Sequence, residues 1–384
     1  MWTYPWDVLD LSADTVEREL SDAGLDTISL ATSYHAGRFL QARSPVRKSY
    51  YPQDGTIYFK PTPSRWVDHT IRPLVAGLLA EGDVLADLCA RRNLRVSCWT
   101  VCLHNTRLGL LHPGAVTRNA FGDPNHYSLC PSHPAARAYV TTLVADVSAR
   151  YRPDAIELES PSFMGFAHGF HHEKDGVGLT AEGDFLLSLC FCDACLAAAA
   201  AAGVDGERAR QTVRRWIAED CERATPAPRW PDFDFSVFAP FPEVDDYVRW
   251  RFTPVTSLIR AIREAAHSST AIHLIAASHG WLDGVDLAAV AACCDGVILC
   301  AYDMAPDAVR QLMERARATI GPGKYLGAGF RVFYPEMSGP ADLVARARAA
   351  LLGGAEGINF YNYGLIPRAR LDWVRQAVIV VPPR

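Results

Sequence analysis

Hydrophobic and polar positions along the chain follow two different periods. Short runs rich in β-branched and aromatic residues predict strands, and apolar residues between most of them recur at the spacing of an amphipathic helix. The predicted strands are Thr27–His35, Thr56–Pro61, Leu94–His104, Ala155–Ser160, Ala271–His279, Gly296–Asp303, Tyr325–Phe333 and Gly357–Asn362. The predicted helices are Ala13–Ala23, Val67–Arg91, Ala135–Arg150, Asp246–Ala266, Val285–Cys293, Pro306–Ile320 and Ala341–Leu352.

Eight strands that alternate with helices indicate an α/β protein, and specifically a (β/α)8 TIM barrel. A doubly wound sheet is the alternative, but no glycine-rich phosphate-binding turn follows the first strand. One connection is much longer than the others, because residues 161–245 hold a histidine-rich loop, a cysteine cluster and an aromatic stretch. We therefore expect a single barrel domain, residues 1–384, with a long insertion after the fourth strand that covers the C-terminal face.

The composition of the chain indicates which classes of protein and which kinds of partner are compatible with the sequence. The 384 residues are 49% hydrophobic and 21% charged, which is typical of a folded protein with a substantial core. A net charge of -5 predicts no nucleic acid partner, and no apolar run is long enough to predict a membrane partner. The start of the chain lacks a signal-peptide pattern and several of the 11 cysteines lie in apolar runs, so we expect a cytoplasmic protein. A homo-oligomer is compatible with the sequence.

Strand alternation predicts which side chains face the barrel interior. In Ala155–Ser160 the apolar Ile156 and Leu158 share one face, which leaves the carboxylates of Glu157 and Glu159 on the inner face, with Glu159 nearer the mouth. A barrel filled only for stability would favour Val, Ile and Leu at such positions. The inward polar side chains therefore predict a binding site, and the alternative is a satisfied network of hydrogen bonds.

Two carboxylates are the chemical requirement for cleaving a glycosidic bond. Glu159 is the predicted general acid, and Glu157 beside it would help to keep one of the two protonated. Alternatively, Glu157 is a structural residue held by Arg331. The predicted second catalytic carboxylate is Glu336, three residues beyond the seventh strand, and Asp303 at the end of the sixth strand is the alternative.

Aromatic and polar residues near the predicted strand ends are expected to contact a carbohydrate. Aromatic rings would stack on sugar rings, and polar groups would form hydrogen bonds with hydroxyls. For some of the aromatic residues, packing at the rim of the barrel is the alternative. The predicted substrate-binding residues are His35, Arg38, Trp99, His104, Asn105, Glu157, His279, Tyr302, Arg331, Tyr361 and Asn362.

A cysteine cluster predicts a structural metal site. Cys190, Cys192 and Cys195 form a C-x-C-x-x-C segment, and Cys130 is the candidate fourth ligand of a tetrahedral zinc ion. Unmetallated thiols are the alternative, and no organic cofactor is predicted. A catalytic metal on the histidine-rich loop (His168, His171, His172 and Glu173) is a separate possibility, although the loop lacks the H-E-x-x-H spacing.

Several motifs, in order along the chain, resemble glycoside hydrolase family 42 β-galactosidases and related uncharacterised bacterial glycosidase-like barrels. The matching segments are Leu129–Tyr139, Arg150–Tyr151, the strand with Glu159, Cys190–Cys195 and Tyr247–Phe252. The resemblance implies an acid/base role for Glu159 and zinc binding by Cys130, Cys192 and Cys195, with Cys190 as the matching first cysteine. Leu158 stands where the family has Asn, the family's nucleophile motif is missing at the seventh strand, and the chain is short for the family's C-terminal domains. Galactose specificity is therefore not carried over.

The predicted function is a glycoside hydrolase that acts on a carbohydrate substrate with two carboxylates and retention of configuration. Two other classes stay open at this point. One is a non-catalytic carbohydrate-binding barrel that has lost its nucleophile, and the other is a metal-dependent hydrolase or isomerase that uses the histidine-rich loop.

Overall fold

The structure is a computed structural model that describes residues 1–168 and 172–379. Its strands are β1 (Trp2–Thr3), β2 (Thr27–Tyr34), β3 (Phe39–Leu40), β4 (Ser49–Tyr50), β5 (Thr56–Ile57), β6 (Leu74–Val75), β7 (Arg95–Val101), β8 (Val116–Arg118), β9 (Pro124–Leu129), β10 (Ala155–Glu159), β11 (Ala271–Ala276), β12 (Gly296–Cys300), β13 (Tyr325–Arg331) and β14 (Gly357–Tyr361).

The helices lie mainly between these strands. They are α1 (Pro5–Leu11), α2 (Ala13–Asp22), α3 (Val84–Arg91), α4 (Thr106–Leu111), α5 (Pro134–Tyr151), α6 (Ala181–Ser188), α7 (Asp193–Ala201), α8 (Gly206–Cys221), α9 (Pro242–Trp250), α10 (Phe252–Ala265), α11 (Leu287–Ala291), α12 (Pro306–Ile320), α13 (Pro340–Leu352) and α14 (Leu371–Val378). Short 3₁₀ turns include Gly280–Asp283, which follows β11.

A central sheet of parallel strands organises the molecule. The strands β1, β2, β7, β10, β11, β12, β13 and β14 follow one another in this order, and each is parallel to the next. In this register Glu157 lies opposite Trp99 on one side and His273 on the other. The carboxyl ends of neighbouring strands therefore lie at the same edge of the sheet, which is where ligands bind in parallel α/β proteins.

The apolar face of β10 packs into the main hydrophobic core. Ile156 and Leu158 are fully buried there, in the same cluster as Val140 and Val144 of α5. The helix α5 begins with Pro134, whose fixed φ suits a first helical position, and ends where Arg152 takes a left-handed conformation. Since Ile156 and Leu158 face the helices, Glu157 and Glu159 project from the opposite face of the strand.

One predicted strand needs correction, and one strand of the parallel set was not predicted. The segment Thr56–Pro61 is not a member of the parallel set, because only Thr56 and Ile57 form a strand and they pair antiparallel with β2. Its place in the parallel set is taken by Trp2–Thr3, which pairs with Ser29 and Leu30. A strand of two residues contains no measurable hydrophobic period, so the sequence pattern could not identify it.

Two helix predictions also need correction. Within Val67–Arg91 only α3 is an α-helix, and Pro73 and Gly77 interrupt the earlier part of the segment. The predicted helix Asp246–Ala266 is divided into α9 and α10 at Arg251, and Pro254 lies in the first turn of α10. A proline is tolerated there because the first amides of a helix have no partner within the helix.

Residues 161–245, the predicted insertion, contain α6, α7, α8 and the first part of α9. Phe185 of α6 packs against Phe233, Phe238 and Trp281, with ring centroids 5.0 to 5.8 Å apart. In residues 1–168 and 172–379, no single helix is long and apolar enough to cross a membrane. The pair α6 and α7 meets that criterion only when both are taken together, and the two helices meet at 83°.

Candidate active site at the carboxyl ends of the strands

A cavity of about 490 Å³ opens at the carboxyl ends of the parallel strands. Its wall includes the last residues of six parallel strands, which are Tyr34 of β2, Glu159 of β10, Ala276 of β11, Cys300 of β12, Arg331 of β13 and Tyr361 of β14. The loop that follows β10 and the 3₁₀ turn that follows β11 complete the wall. Both the position and the size are typical of enzyme sites on parallel α/β sheets.

Glu159 lies in the cavity wall and accepts a hydrogen bond from the indole Nε1 of Trp99, on the neighbouring strand β7. Burial raises the pKa of Glu159 to about 7, and the hydrogen bond from Trp99 partly opposes this rise. A carboxyl group with this pKa is partly protonated at neutral pH. It can therefore donate a proton to a leaving group and accept one later in a reaction.

Glu157 lies deeper than Glu159 and has a different environment. Its carboxylate accepts hydrogen bonds from Trp2 Nε1 at 2.7 Å, Ser29 Oγ at 2.8 Å and Asn359 Nδ2 at 3.4 Å. Glu157 does not line the cavity that holds Glu159. It lines a different cavity, at the amino ends of the strands. The alternative role predicted for Glu157, a structural residue held by Arg331, names the wrong partner, since Trp2, Ser29 and Asn359 hold it.

Arg331 instead pairs with Glu336, one of the two predicted second carboxylates. Its Nη1 lies 3.3 Å from Glu336 Oε1, and its guanidinium lies 4.6 Å from the ring centroid of Tyr302. Arg331 and Tyr302 line the cavity, but Glu336 does not. Asp303, the other predicted carboxylate, is exposed and also lies outside the cavity lining.

Asp283 is a carboxylate in the cavity wall that the sequence analysis missed. It ends the 3₁₀ turn after β11. Burial raises the pKa of Asp283 to about 6, and the positive charge of Arg251 opposes this rise. Arg251 is fully buried and its Nη2 donates to the carbonyl of Leu282 at 3.0 Å, so it also supports the turn.

The sequence does contain one signal for this turn. Gly284 follows Asp283, and an Asp-Gly pair beyond a strand is typical of a tight turn. Gly284 has φ 74°, and a Cβ atom at this position would lie 3.0 Å from Phe163 and 3.1 Å from the carbonyl of Arg251. The close approach of the backbone therefore requires glycine, and it places Asp283 in the cavity wall.

Three tyrosine hydroxyls form a network beside Glu159. Tyr4 Oη lies 3.0 Å from Tyr34 Oη and 2.8 Å from Tyr361 Oη. Burial raises the pKa of all three phenols, so they stay neutral. The ring of Trp99 packs against all three, with centroids 5.1 to 5.8 Å apart. Tyr4 was not predicted from the sequence, because the helix that follows it, α1, was not predicted either.

Three histidine rings pack in a row at one edge of the cavity. The ring of His104 lies 4.1 Å from that of His35 and 4.7 Å from that of His168. Burial lowers the pKa of His35 to about 4 and that of His104 to about 2, and neighbouring imidazoles contribute to the second shift. The two rings are therefore neutral at pH 7. His35 and His168 line the cavity, whereas His104 is buried behind them.

The remaining predicted substrate-binding residues lie outside the cavity lining. Asn105 caps α4, because its Oδ1 accepts from Leu108 N at 2.9 Å and its Nδ2 donates to the carbonyl of Gly55. Asn362 is fully buried and its Oδ1 accepts from the amide of Gly364. Arg38 and His279 are exposed side chains. Of the predicted set, the structure brings together His35, Trp99, Tyr302, Arg331 and Tyr361 around Glu159.

The four predicted metal ligands lie together away from this cavity. The sulfur atoms of Cys130, Cys190, Cys192 and Cys195 are all within 4.8 Å of one another, and all four residues are buried. Cys130 Sγ lies 3.4 Å from Cys195 Sγ, 3.6 Å from Cys192 Sγ and 3.9 Å from Cys190 Sγ. Zinc–thiolate bonds of about 2.3 Å in a tetrahedron place sulfur atoms about 3.8 Å apart, so the cluster fits a zinc ion.

The histidine-rich loop shows no comparable arrangement. Within the part of the chain that the structure describes, the cysteine cluster is the only group of three or more His, Cys, Asp or Glu residues whose ligand atoms lie that close. His168, His172 and Glu173 do not form such a group. His171 lies outside the described residues.

Comparison with known proteins gives a likeness of fold. No protein-family model matches the chain, and no curated protein matches its sequence. The structure resembles α-L-fucosidase isoenzyme 2 from Paenibacillus thiaminolyticus, with a TM-score of 0.56 and 15% identity, over 96% of this chain and 46% of that one. It also resembles the endo-1,4-β-mannanase from Rhizomucor miehei, with a TM-score of 0.52 and 10% identity, over 98% and 93% of the two chains. The chain spans about half the length of the fucosidase, and it shares its fold with both proteins.

Proposed function

We propose that this protein is a glycoside hydrolase whose general acid/base is Glu159. The observation that carries the proposal is a carboxyl group with a pKa near 7 in the wall of a cavity at the carboxyl ends of parallel strands. This is the protonation behaviour that a group needs if it first donates a proton to the glycosidic oxygen and then deprotonates water. The fold shared with a fucosidase and a mannanase supports the same class.

Asp283 is our choice for the second carboxylate. Of the three candidates it is the one that lines the cavity with Glu159, whereas Glu336 is paired with Arg331 and Asp303 is exposed. We propose a retaining reaction, in which this carboxylate attacks the anomeric carbon and the resulting glycosyl ester is hydrolysed by water. Cys300 also lines the cavity, but burial raises its pKa to about 12, so its thiol stays protonated and is a poor nucleophile.

Aromatic and polar groups of the wall would hold the sugar. Tyr302 and Tyr361 offer ring faces and hydroxyls on the side of β12 and β14, and the neutral His35 offers a hydrogen-bonding nitrogen on the side of β2. The Arg331 guanidinium lies between Tyr302 and Glu336 and lines the cavity, so it can donate a hydrogen bond to a sugar hydroxyl. The wall thus has the mixture of ring faces and oriented polar groups that is typical of ligand sites.

We also propose that the eight parallel strands close into a (β/α)8 barrel. In support, the amide of Tyr363, just beyond β14, donates to the carbonyl of Trp2 in β1 at 3.0 Å. Trp2 and Asn359, from the first and last strands of the set, both donate to Glu157. Residues 161–245 would then be an insertion over the mouth of one domain, because Ser162, Phe163, Met164 and Gly165 line the cavity.

The cysteine cluster is proposed to bind one structural zinc ion. When bound, zinc would connect Cys130, which precedes α5, with the three cysteines at the start of α7. With four protein ligands the ion has no open position for substrate, so it would stabilise the fold without taking part in the reaction. The sequence resemblance to glycoside hydrolase family 42 supports this zinc site and the role of Glu159, and we propose a relationship to that family.

A panel of aryl glycosides tests the hydrolase proposal. We expect the wild type to cleave at least one glycoside and Glu159→Gln to lose about 10² to 10⁴ of the rate. The loss should be larger for phenyl than for 2,4-dinitrophenyl glycosides, because only a poor leaving group needs protonation. If the wild type cleaves no glycoside of a broad panel, or the variant cleaves phenyl glycosides at the wild-type rate, the proposal is wrong.

The same panel identifies the second carboxylate. Asp283→Ala should abolish cleavage, and azide should restore it by attacking the anomeric carbon from the space that the carboxylate leaves, with release of a glycosyl azide. Glu336→Ala and Asp303→Ala are the matched comparisons. If azide rescues one of these two variants and not Asp283→Ala, the assignment of the second carboxylate moves to that residue. Proton NMR of the first product anomer tests the proposed retention.

A further inference from the structure

A buried arginine lies behind the turn that carries Asp283. Arg251 is fully buried at the junction of α9 and α10. Its Nε and Nη1 atoms have no hydrogen-bond partner in the part of the chain that the structure describes. A buried charge is costly unless other groups compensate it. The surroundings of Arg251 therefore indicate what its positive charge does.

The guanidinium of Arg251 is held in a fixed place. The backbone amide of Arg251 donates to the carbonyl of Tyr247, and the hydroxyl of Tyr247 donates to the carbonyl of Cys190. The guanidinium lies 4.7 Å from the ring centroid of Phe163 and 5.3 Å from that of Phe185. Both distances are within the range of a cation–π interaction. These contacts keep the charge beside the loop that follows β10, where Phe163 lines the active-site cavity.

The turn that carries Asp283 depends on Arg251. The Nη2 of Arg251 donates to the carbonyl of Leu282 at 3.0 Å, and the amide of Phe163 donates to the carbonyl of Asp283 at 3.1 Å. Within the described residues, no hydrogen bond holds the carboxylate of Asp283 itself. The backbone of the turn therefore decides where this carboxylate lies, and Arg251 is one of its supports.

Two charged side chains act on Asp283 from the elements around it. The positive charge of Arg251 lowers the pKa of Asp283, and the negative charge of Asp184 on α6 raises it by less. Burial lowers the pKa of Arg251, but a guanidinium stays protonated in proteins. The groups that act electrostatically on Arg251, from the largest effect to the smallest, are Asp283, Tyr247, Cys190 and Cys195.

We propose that Arg251 is a positioning residue for the reaction, which holds Asp283 in the cavity wall in its ionised form. The inference rests on the proposed function and deepens it, because it names the group that prepares the second carboxylate. Arg251 does not line the cavity, so it acts only through Asp283. The ionised carboxylate is the form that attacks the anomeric carbon, and a fixed positive charge nearby favours that form.

The acid limit of activity, the pH below which kcat/KM falls, tests this role. Arg251→Met removes the charge, so the acid limit should move from about 6 to higher pH by about one unit or more. Arg251→Lys keeps the charge and should keep the limit near that of the wild type. Arg263→Met is the matched control, because Arg263 of α10 also donates to backbone carbonyls, those of His267 and Thr270, but lies near the start of β11. It should leave the limit unchanged.

Asp184 provides a test of opposite sign. Asp184→Asn removes the negative charge that raises the pKa of Asp283, while the asparagine Oδ1 can still accept from the amide of Ala167. The acid limit should therefore move to lower pH. A general loosening of the turn would not shift the limit upward in Arg251→Met and downward in Asp184→Asn.

A double-mutant cycle in urea at pH 8 measures the same pair without any substrate. The pKa of Asp283 rises from 3.8 to about 6 on folding, so this group reduces stability as the pH rises through 6. Asp283→Asn should therefore lower the equilibrium constant of unfolding. The decrease should be larger by a factor of about ten or more in the Arg251→Met background than with Arg251 present.

A second neutral variant covers the case in which Arg251→Met does not fold. Arg251→Gln can still donate to the carbonyl of Leu282, and it should give the same shift and the same cycle. An unchanged acid limit in the folded neutral variant, an equal shift in Arg251→Lys, or equal effects of Asp283→Asn in both backgrounds would overturn the inference. The proposed function fails separately: a wild type that cleaves no glycoside but shows the coupling in urea contradicts the hydrolase and keeps the link between Arg251 and Asp283.

Discussion

The indole N–H of Trp99 donates a hydrogen bond to the carboxylate of Glu159. Glu159 is buried, and burial disfavours the negative charge of its carboxylate. Burial and the hydrogen bond shift the pKa of Glu159 in opposite directions. Burial favours the neutral acid, while a hydrogen-bond donor favours the anion. Because burial is the larger effect, the pKa of Glu159 lies at about 7, well above that of an exposed glutamate.

The first prediction is a narrow bell-shaped pH profile of kcat/KM. Glu159 must be protonated to act as an acid, so activity should fall as the pH rises above about 7. Asp283 must be ionised, so activity should fall as the pH drops below about 6. Initial rates on the best aryl glycoside between pH 4 and pH 9 measure both limits. A profile that stays flat through this range would contradict both assignments.

Trp99→Phe should move the alkaline limit of that profile to higher pH. The variant removes the donor that favours the ionised form of Glu159, whereas burial remains, so the pKa of Glu159 should rise. Trp373→Phe is a suitable control, because Trp373 packs near Arg370 on the outer helix α14. The idea is wrong if the Trp99→Phe limit stays in place or moves to lower pH while the protein remains folded.

Glu159 should also reduce stability at high pH, which separates its role from that of an ordinary structural acid. Its pKa rises from 4.5 to about 7 on folding, so the folded state binds the proton more tightly. Stability from this group is therefore complete below pH 4.5 and is lost as the pH rises through 7. The difference corresponds to about 3 kcal/mol. Urea denaturation should find Glu159→Gln more stable than the wild type at pH 8 and nearly equal to it at pH 4.5.

The substitution Glu157→Gln, in contrast to Glu159→Gln, should lower the stability of the protein at pH 8. Glu157→Gln places an amide N–H₂ where one carboxylate oxygen now accepts from Trp2 or from Ser29 and Asn359. At least one buried donor loses its acceptor, which costs about 1 to 3 kcal/mol. Urea denaturation at pH 8 compares the two variants directly. If Glu157→Gln is as stable as Glu159→Gln at pH 8, then Glu157 does not have the structural role that its contacts indicate.

The difference between these two glutamates was partly visible in the sequence. Strand alternation predicted that both glutamate side chains face away from Ile156 and Leu158. This prediction is possible because successive side chains of a strand point to opposite faces, and one face of this strand is buried. The partners of Glu157 were not visible. Trp2 belongs to a strand of two residues, and its pairing with Ser29 depends on contacts between distant parts of the chain. Local patterns carry no information about such contacts.

The position of Asp283 in the cavity wall also could not be predicted from local sequence patterns. The predicted strand extended to His279, whereas β11 ends at Ala276, so the turn that holds Asp283 was not recognised. What brings the turn to the cavity is its packing on Arg251 and Phe163, and the sequence pattern does not report that packing. The cysteine cluster was easier to predict, because the close spacing of Cys190, Cys192 and Cys195 already restricts where their sulfur atoms can lie.

The cysteine cluster gives the last prediction, which concerns metal content and stability together. We expect about one zinc ion per chain in protein purified without chelator, as measured by inductively coupled plasma mass spectrometry. Cys192→Ser should lose the zinc and lower the free energy of unfolding by more than about 4 kcal/mol, since loss of a structural metal is among the most damaging single changes. Cys221→Ser is the matched control because Cys221 is exposed at the end of α8, and it should change neither quantity.

Activity under chelation then separates a structural ion from a catalytic one. None of the four cysteines lines the cavity that holds Glu159, so a zinc ion bound by them would have no contact with a substrate in that cavity. Cleavage should therefore persist in mild chelator at low temperature and disappear only together with the native circular dichroism signal. Rapid loss of activity in a protein that keeps its fold would show that a metal takes part in the reaction. Metal-free protein with full stability would instead show that the four thiols hold no ion.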